Sequence, residues 1–261
     1  MHRRTALVTG ASSGLGEVFA RELAARGQDL VLVARRADRL HALAGELTTA
    51  HGVVAEVLPA DLTRPEELAE VTRRLAAGPA EVGLLVNNAG VLGRIAPLAD
   101  QDPDDQAALV DLDVQAAVRL TAAAARAMTR RGDGRIVNVS SMTGFLPVPR
   151  GAVYGASKAF LTAFSENVHC ETAHLGVHVT AVCPGSVRTG LHQGSGTKGR
   201  LGRNLDPLDV VRDALAAVEA GRPLCVPGRV YRLKAGLATA LPRALVRRAV
   251  LRLWQQERRS R

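Results

Sequence analysis

The tightest constraint on this chain lies at its start. The apolar run Thr5–Thr9 passes directly into Gly10-Ala-Ser-Ser-Gly14-Leu-Gly16, and then into a helical pattern with Val18, Phe19, Leu23 and Ala24 among its apolar positions. That is a strand, a glycine turn and a helix. Such a turn lets backbone approach a pyrophosphate closely, while the helix start offers unpaired N–H groups and a partial positive charge. The expected ligand is a dinucleotide, cradled by Gly10, Ser12, Ser13, Gly14, Leu15 and Gly16. The plainer alternative is an ordinary tight strand-to-helix turn.

Short apolar runs continue to alternate with longer helical patterns as far as about residue 227, the signature of repeated βα units around a parallel sheet. The expected strands are Thr5–Thr9, Asp29–Val33, Val53–Leu58, Leu84–Asn87, Arg135–Ser140, Val177–Val182 and Leu224–Val226. The intervening helices are expected at about Gly14–Arg26, Asp38–His51, Pro65–Ala77, Asp105–Arg131, Val153–His174 and Pro207–Ala220. The fold class is therefore α/β: a doubly wound Rossmann domain with a seven-stranded parallel sheet over residues 1–228, followed by a helical extension over 229–261. The glycine-rich stretch Gly190–Asp206 reads as an unusually long surface loop.

A formal net charge of +9 invites a nucleic-acid reading until it is located. Residues 221–261 carry ten Arg and Lys234 against the single acid Glu257, so the remaining 220 residues sum to −1. With aromatics at only 3 %, no stacking platform accompanies the charge, and no nucleic acid is expected. Within the extension, Pro242 opens a second helix that sets Leu245, Ala249, Val250, Leu253 and Trp254 beside Arg243, Arg247, Arg248 and Arg252. This basic amphipathic pattern fits packing on its own domain or on a symmetry mate, cover over a hydrophobic substrate pocket, peripheral contact with an anionic membrane, or contact with an acidic protein or nucleic acid. Cys170, Cys183 and Cys225 have neither metal-type spacing nor an even count, and they read as buried fillers in a reducing cytoplasm. The opening Met-His-Arg-Arg carries no signal-peptide pattern, and no apolar stretch reaches the ~18 residues of a membrane span.

About 20 residues beyond a glycine turn, an NAD site usually sets an acid against the ribose 2′-hydroxyl. Here the second strand ends in Ala34-Arg35-Arg36. Guanidinium groups pair with a 2′-phosphate in fork geometry, so NADP(H) is favoured over NAD(H). The alternative is a solvated helix start formed by Arg35, Arg36 and Arg39, with Arg36 the more solvent-facing of the first two. Tyr154 and Lys158 stand four residues apart and share a helix face. A phenol is a poor proton donor and acceptor near neutrality unless a cation favours its phenolate, and Lys158 can supply that charge.

The spacing Thr9-Gly-x-x-x-Gly-x-Gly, Asn87-Asn88-Ala89-Gly90, Ser141 thirteen residues before Tyr154, Tyr154-Gly-Ala-Ser-Lys158 and Pro184-Gly185-Ser186-Val187-Arg188-Thr189 occur in that order. In these motifs the chain resembles the short-chain dehydrogenase/reductase family over residues 5 to about 227. The resemblance implies that Tyr154 exchanges a proton with the substrate oxygen, Ser141 orients that oxygen, and Lys158 binds the nicotinamide ribose and tunes Tyr154. It also implies cofactor contacts from Asp61 and Leu62, from Asn88, Ala89 and Gly90, and from Pro184, Gly185, Val187 and Thr189. One position departs: where the family usually has an Asn that holds a helix distortion and a water relay, this chain has Asp113, which accepts hydrogen bonds but cannot donate as an amide does.

The reading is an NADP(H)-dependent oxidoreductase that interconverts a carbonyl and a secondary alcohol, with a small-molecule substrate and a homodimeric or homotetrameric assembly. The alternative is a cofactor-binding regulatory or membrane-associated protein whose turnover is reduced by Asp113. His174 and His178 are read as solvated or packed rather than metal-binding, and Ser157 as packing near the cofactor.

Overall fold

Seven strands pair entirely in parallel in the order β3-β2-β1-β4-β5-β6-β7. They are β1 (Thr5–Thr9), β2 (Asp29–Ala34), β3 (Ala55–Pro59), β4 (Val82–Asn87), β5 (Gly134–Val139), β6 (Val177–Val182) and β7 (Leu224–Cys225). The computed structural model describes residues 5–77, 80–188 and 204–259. Both faces of the sheet are covered, which is why the strands read as near-continuous apolar runs. All five residues of β1 are buried.

Alternate side chains feed opposite cores. Ala6, Val8, Leu30, Leu32 and Val86 meet Phe19 and Leu23 of α1 (Gly14–Ala25), Leu40 and Leu47 of α2 (Ala37–His51), and Val211 and Leu215 of α7 (Pro207–Glu219). Leu7, Val31, Leu85, Ile136 and Val179 meet Leu68 and Val71 of α3 (Pro65–Ala76) and Leu120 and Met128 of α5 (Ala117–Arg131). The chain thus leaves β1 for one face and β4 for the other, and a crevice opens between those strand ends at the switch point.

All seven strands lie on the expected apolar runs, with bounds that shift by one or two residues at β2, β3, β4, β5 and β7; β3 begins at Ala55 rather than Val53 and β4 at Val82 rather than Leu84. The helix expected from Asp105 starts earlier, as α4 (Pro103–Val110). Asp102 caps it by accepting from the Asp104 N–H at 2.8 Å, and Pro103 needs no N–H at this end. The helix is also interrupted: a π-helical turn, Asp111–Ala116, separates α4 from α5. The final long helix of the sheet region, α6, spans Ala152–Thr172.

The extension forms α8 (Arg229–Ala240) and α9 (Arg243–Arg259). Tyr231 and Ala235 of α8 share a third core cluster with Met142, Ala181, Cys183 and Val226, so α8 closes the β6–β7 end of the sheet. Most of the stretch expected as a long loop lies outside the described residues. At its return, Leu205 pairs with Val187, and Asp206 caps α7 through the Leu208 N–H. Bonds from Leu208 and from Arg188 hold the Asp206 carboxyl below the ordinary aspartate range.

The cysteines correct one expectation. Cys183 and Cys225 are buried, but Cys170 on α6 is exposed. Burial pushes the Cys183 thiol up to about 11 and Cys225 up to about 12, against 9.0 for a free thiol. A thiol that stays neutral in the fold but ionises in the unfolded chain costs stability only above its unfolded pKa. The contribution of both residues is therefore full below about pH 9 and declines as the pH rises toward the folded values. Native protein at neutral pH is expected to react with a thiol reagent at Cys170 alone, with Cys183 and Cys225 reacting only after denaturation. Equal labelling of all three in the native state contradicts this burial.

Candidate active site

The glycine turn is held by the tips of β1 and β4. The Thr9 hydroxyl accepts the N–H groups of Asn88 and Ala89, both at 3.0 Å, and donates to the Val86 carbonyl at 3.3 Å. The Asn88 side-chain amide donates to the Thr9 carbonyl at 3.0 Å. Gly10 turns at φ +66°, a left-handed conformation that favours glycine, and a Cβ on it would stand 2.7 Å from the Asn88 amide nitrogen. A Cβ on Gly16 would collide with the Gly10 carbonyl. These glycines are therefore required by the fold of the turn itself as well as by any ligand above it.

Ser13 precedes α1 as its N-cap residue in extended conformation, yet its hydroxyl makes no capping bond. Instead it accepts from Arg36 at 2.9 Å. Arg36 also donates to the Ser12 hydroxyl at 2.9 Å and to the Ser12 carbonyl at 3.2 Å. This reverses the expected ranking of the two arginines: Arg36 folds back over the turn and places a guanidinium beside the start of α1. Arg35 instead lies by the end of β3, in a recess with Pro59, Ala60 and Asp61. Burial pushes the Asp61 carboxyl up, but bonds from Thr63 and the charges of Arg35 and Arg64 outweigh it and hold the group below its ordinary range. Leu62 buries its side chain in the core, so only its backbone is free to face a ligand. A glycine cradle with no room for side chains, a helix start without a side-chain cap and an adjacent guanidinium together fit the phosphates of a dinucleotide.

Beyond β4 the chain meets the second half of the site. The Asp113 carboxylate, on the π turn and 1 % exposed, accepts the Val91 N–H through Oδ1 at 2.9 Å. Its Oδ2 lies 3.0 Å from Lys158 Nζ. Lys158, 6 % exposed, also donates to the Val139 carbonyl at 3.4 Å, and its Nζ is 5.6 Å from the centre of the Tyr154 ring. Gly90 lies against this pair, where a side chain would press on both groups. The π turn thus ties together the loop after β4 and the lysine of α6, consistent with the tendency of π turns to mark functional sites.

The Ser141 hydroxyl accepts the Thr143 N–H at 3.2 Å, which leaves its own O–H available as a donor. Tyr154, one turn before Lys158, is partly exposed, and its hydroxyl has no hydrogen-bond partner among the described residues. Ser157 is buried and donates to the Tyr154 carbonyl at 2.8 Å. On the third side, Pro184, Gly185 and Val187 follow β6, while Thr189 lies outside the described residues. A Cβ on Gly185 would enter the Tyr231 ring, and the Tyr231 hydroxyl accepts the Ser186 N–H at 3.3 Å.

Sequence reasoning missed Tyr231 and a buried polar chain beneath the site. The Asn87 amide donates to Thr121 Oγ1 at 3.0 Å and to Asn138 Oδ1 at 2.9 Å, Asn138 donates to Ser165 at 2.8 Å, and Ser140 donates to the Lys158 carbonyl at 2.7 Å. These bonds lock β4, β5, α5 and α6 in register. The available signal was polar residues at strand ends and on the inward face of α6, where apolar ones would otherwise stand. His178 packs its ring 5.7 Å from His169. Burial, then the charge of Arg135, moves its imidazole below the usual range.

The family model for short chain dehydrogenase matches residues 4–199. The chain is 34 % identical over 187 residues to the very-long-chain 3-oxoacyl-CoA reductase of Anas platyrhynchos; the match covers 70 % of this chain and 60 % of that protein, so the chain spans about three fifths of that relative's length. A short-chain dehydrogenase from Sphingobium yanoikuyae, solved in complex with NADPH, is 36 % identical with a TM-score of 0.82, covering 92 % of this chain and 97 % of that one. The bulky-bulky ketone specific alcohol dehydrogenase of Comamonas testosteroni is 33 % identical with a TM-score of 0.78, covering 94 % and 97 %.

Removing one member of a buried ion pair leaves the other uncompensated, at a cost of about 3–5 kcal/mol. Asp113→Asn, which keeps an acceptor for the Val91 N–H but leaves Lys158 without a counter-charge, is therefore expected to lower the denaturation midpoint, and Asp113→Leu, which keeps neither, to lower it further. An unchanged urea midpoint for Asp113→Asn would show that the carboxylate is not engaged as described.

Proposed function

The chain belongs to the short-chain dehydrogenase family, and on that premise we propose that it is an oxidoreductase of alcohol and carbonyl substrates that uses NADP(H) and reduces a carbonyl with Tyr154 as the proton donor. The single observation carrying this reading is the convergence of Lys158 on Asp113 and on the face of Tyr154, directly beyond a dinucleotide-type glycine turn. When bound, NADPH supplies the hydride.

The residues of the chain do the rest. Tyr154 delivers its hydroxyl proton to the substrate oxygen as negative charge develops there, and the Lys158 ammonium stabilises the phenolate left behind. Ser141, its lone pair occupied by the Thr143 N–H, turns its O–H toward the same oxygen and polarises it. Lys158 donates one proton to the Val139 carbonyl and lies beside the Asp113 carboxylate, which leaves donor capacity for a ribose hydroxyl. In the reverse direction Tyr154 takes up the proton from an alcohol.

The preference for NADP(H) rests on Arg36, which is held beside Ser12 and Ser13 by hydroxyl and carbonyl bonds that a 2′-phosphate can replace with stronger charge-assisted ones. Arg35 adds positive charge near Asp61. The NADPH bound in the Sphingobium yanoikuyae structure supports this choice. The substrate is a small-molecule ketone or aldehyde, and the assembly is a homodimer or homotetramer.

Tyr154→Phe is expected to lower the turnover of NADPH with a ketone panel by about 10²–10⁴-fold, the usual contribution of a positioned proton donor, while leaving NADPH binding intact. Arg36→Gln is expected to weaken NADPH binding by about 10–100-fold with little effect on NADH, read by fluorescence titration. Tighter binding of NADH than NADPH by the unaltered chain, or full turnover by Tyr154→Phe, overturns the proposal.

A further inference from the structure

The large hydrophobic side chains left in solvent are not evenly spread. Of thirteen such residues among those described, seven lie on α8, on α9 or at the turn between them. On α8 they form a stripe: Val230, Leu233 and Leu237 recur at intervals of three and four and fall within one narrow arc of the helix, and Leu241 follows four residues later at its C-terminal cap. Each is between 45 and 66 % exposed. The opposite arc holds Tyr231 and Ala235, which are buried in the cluster that closes β6 and β7. The helix is thus docked by one side and bare on the other, so the bare leucines are not explained by packing among the described residues.

The charge around that stripe is of one sign. From residue 229 to 256 there are seven basic residues and no acid. Arg229 borders the stripe at the start of α8, and Arg243, Arg247, Arg248 and Arg252, all exposed, follow on α9. A second copy docked face to face would set two wholly basic segments against each other across the apolar stripe, which disfavours self-association there. An apolar stripe bordered by arginines on a helix with no acids is the composition of a helix that lies in the plane of an anionic lipid surface.

We propose that α8 and α9 form a peripheral docking surface for anionic membranes, with Leu233 and Leu237 entering the acyl boundary and the arginines of α9 pairing with lipid phosphates. No helix among the described residues is long and apolar enough to cross a membrane, so the contact is in-plane. The inner side of α8 carries Tyr231, whose hydroxyl accepts from Ser186 in the loop after β6. Docking therefore sets the mouth of the crevice beside lipid and suits a lipophilic carbonyl that partitions into the bilayer. The docking claim does not depend on the reaction, and its test reads binding alone.

The test is co-sedimentation of the full chain with vesicles of phosphatidylcholine, with and without phosphatidylserine. Binding is expected only with phosphatidylserine and is expected to fall with added salt. The double variant Leu233→Gln, Leu237→Gln, which keeps helix-compatible residues, is expected to lose at least tenfold in affinity. The triple variant Arg243→Gln, Arg247→Gln, Arg248→Gln is expected to lose on the order of a hundredfold, at ~1 kcal/mol per arginine. Circular dichroism and NADPH binding confirm that both variants are folded. Equal sedimentation with neutral vesicles, or undiminished binding by folded variants, overturns the proposal. So does a vesicle-independent dimer that the leucine variant dissociates in sedimentation velocity, or binding to an acidic protein with no affinity for either vesicle.

Discussion

The architecture depends on two backbone segments lying closer together than side chains would permit. At the tips of β1 and β4, the Thr9 hydroxyl takes two N–H groups from the segment after β4, and Gly10 and Gly16 have no side chain where a Cβ would meet the Asn88 amide. The adjacent strands can then send their following segments to opposite faces of the sheet without a plug of side chains between them. The crevice is what remains. A helix start without a side-chain cap and a guanidinium held nearby by serines give that gap a preference for anions.

The second half of the site solves a different problem, that of keeping a lysine charged while it is nearly out of water. Burying an ammonium alone is expensive, and a partner carboxylate offsets the cost only where geometry and further hydrogen bonds are good. Asp113 supplies the counter-charge, with one oxygen accepting from Val91 and the other 3.0 Å from the Lys158 ammonium. An amide at the same position would accept from Val91 but could not neutralise the lysine. The carboxylate therefore changes the electrostatics of the site while preserving its connectivity. Below it, Asn87, Asn138, Ser140 and Ser165 fix the strands and α6 relative to one another, and directional hydrogen bonds specify one register more sharply than interchangeable apolar contacts would.

Much of this was legible in the sequence because it is local. The strand runs, the glycine turn and the four-residue spacing of Tyr154 and Lys158 are patterns within one element or across one turn, and β1 and β6 have the bounds their apolar runs imply. What was not legible is long-range or side-chain conformational. The direction in which Arg36 folds depends on serines 23 and 24 positions away in the chain. The π turn at Asp111–Ala116 leaves no trace in apolar spacing, since one extra residue in a turn is absorbed by a pattern already tolerant to that extent. Tyr231 gave no signal because its partner, Gly185, is 46 positions earlier and has no side chain to advertise the contact.

That contact changes how the end of the chain should be viewed. With the Tyr231 ring filling the space above Gly185 and its hydroxyl holding Ser186, one wall beside the loop after β6 is supplied by a segment outside the repeating βα architecture. Such a wall can drift in sequence, lengthen or reorient over evolutionary time while the strands, the turn and the proton donor stay untouched. Selectivity and chemistry are thereby written in separate stretches of one gene product, so descendants of a single ancestor can diverge in what they accept without relearning how to react with it.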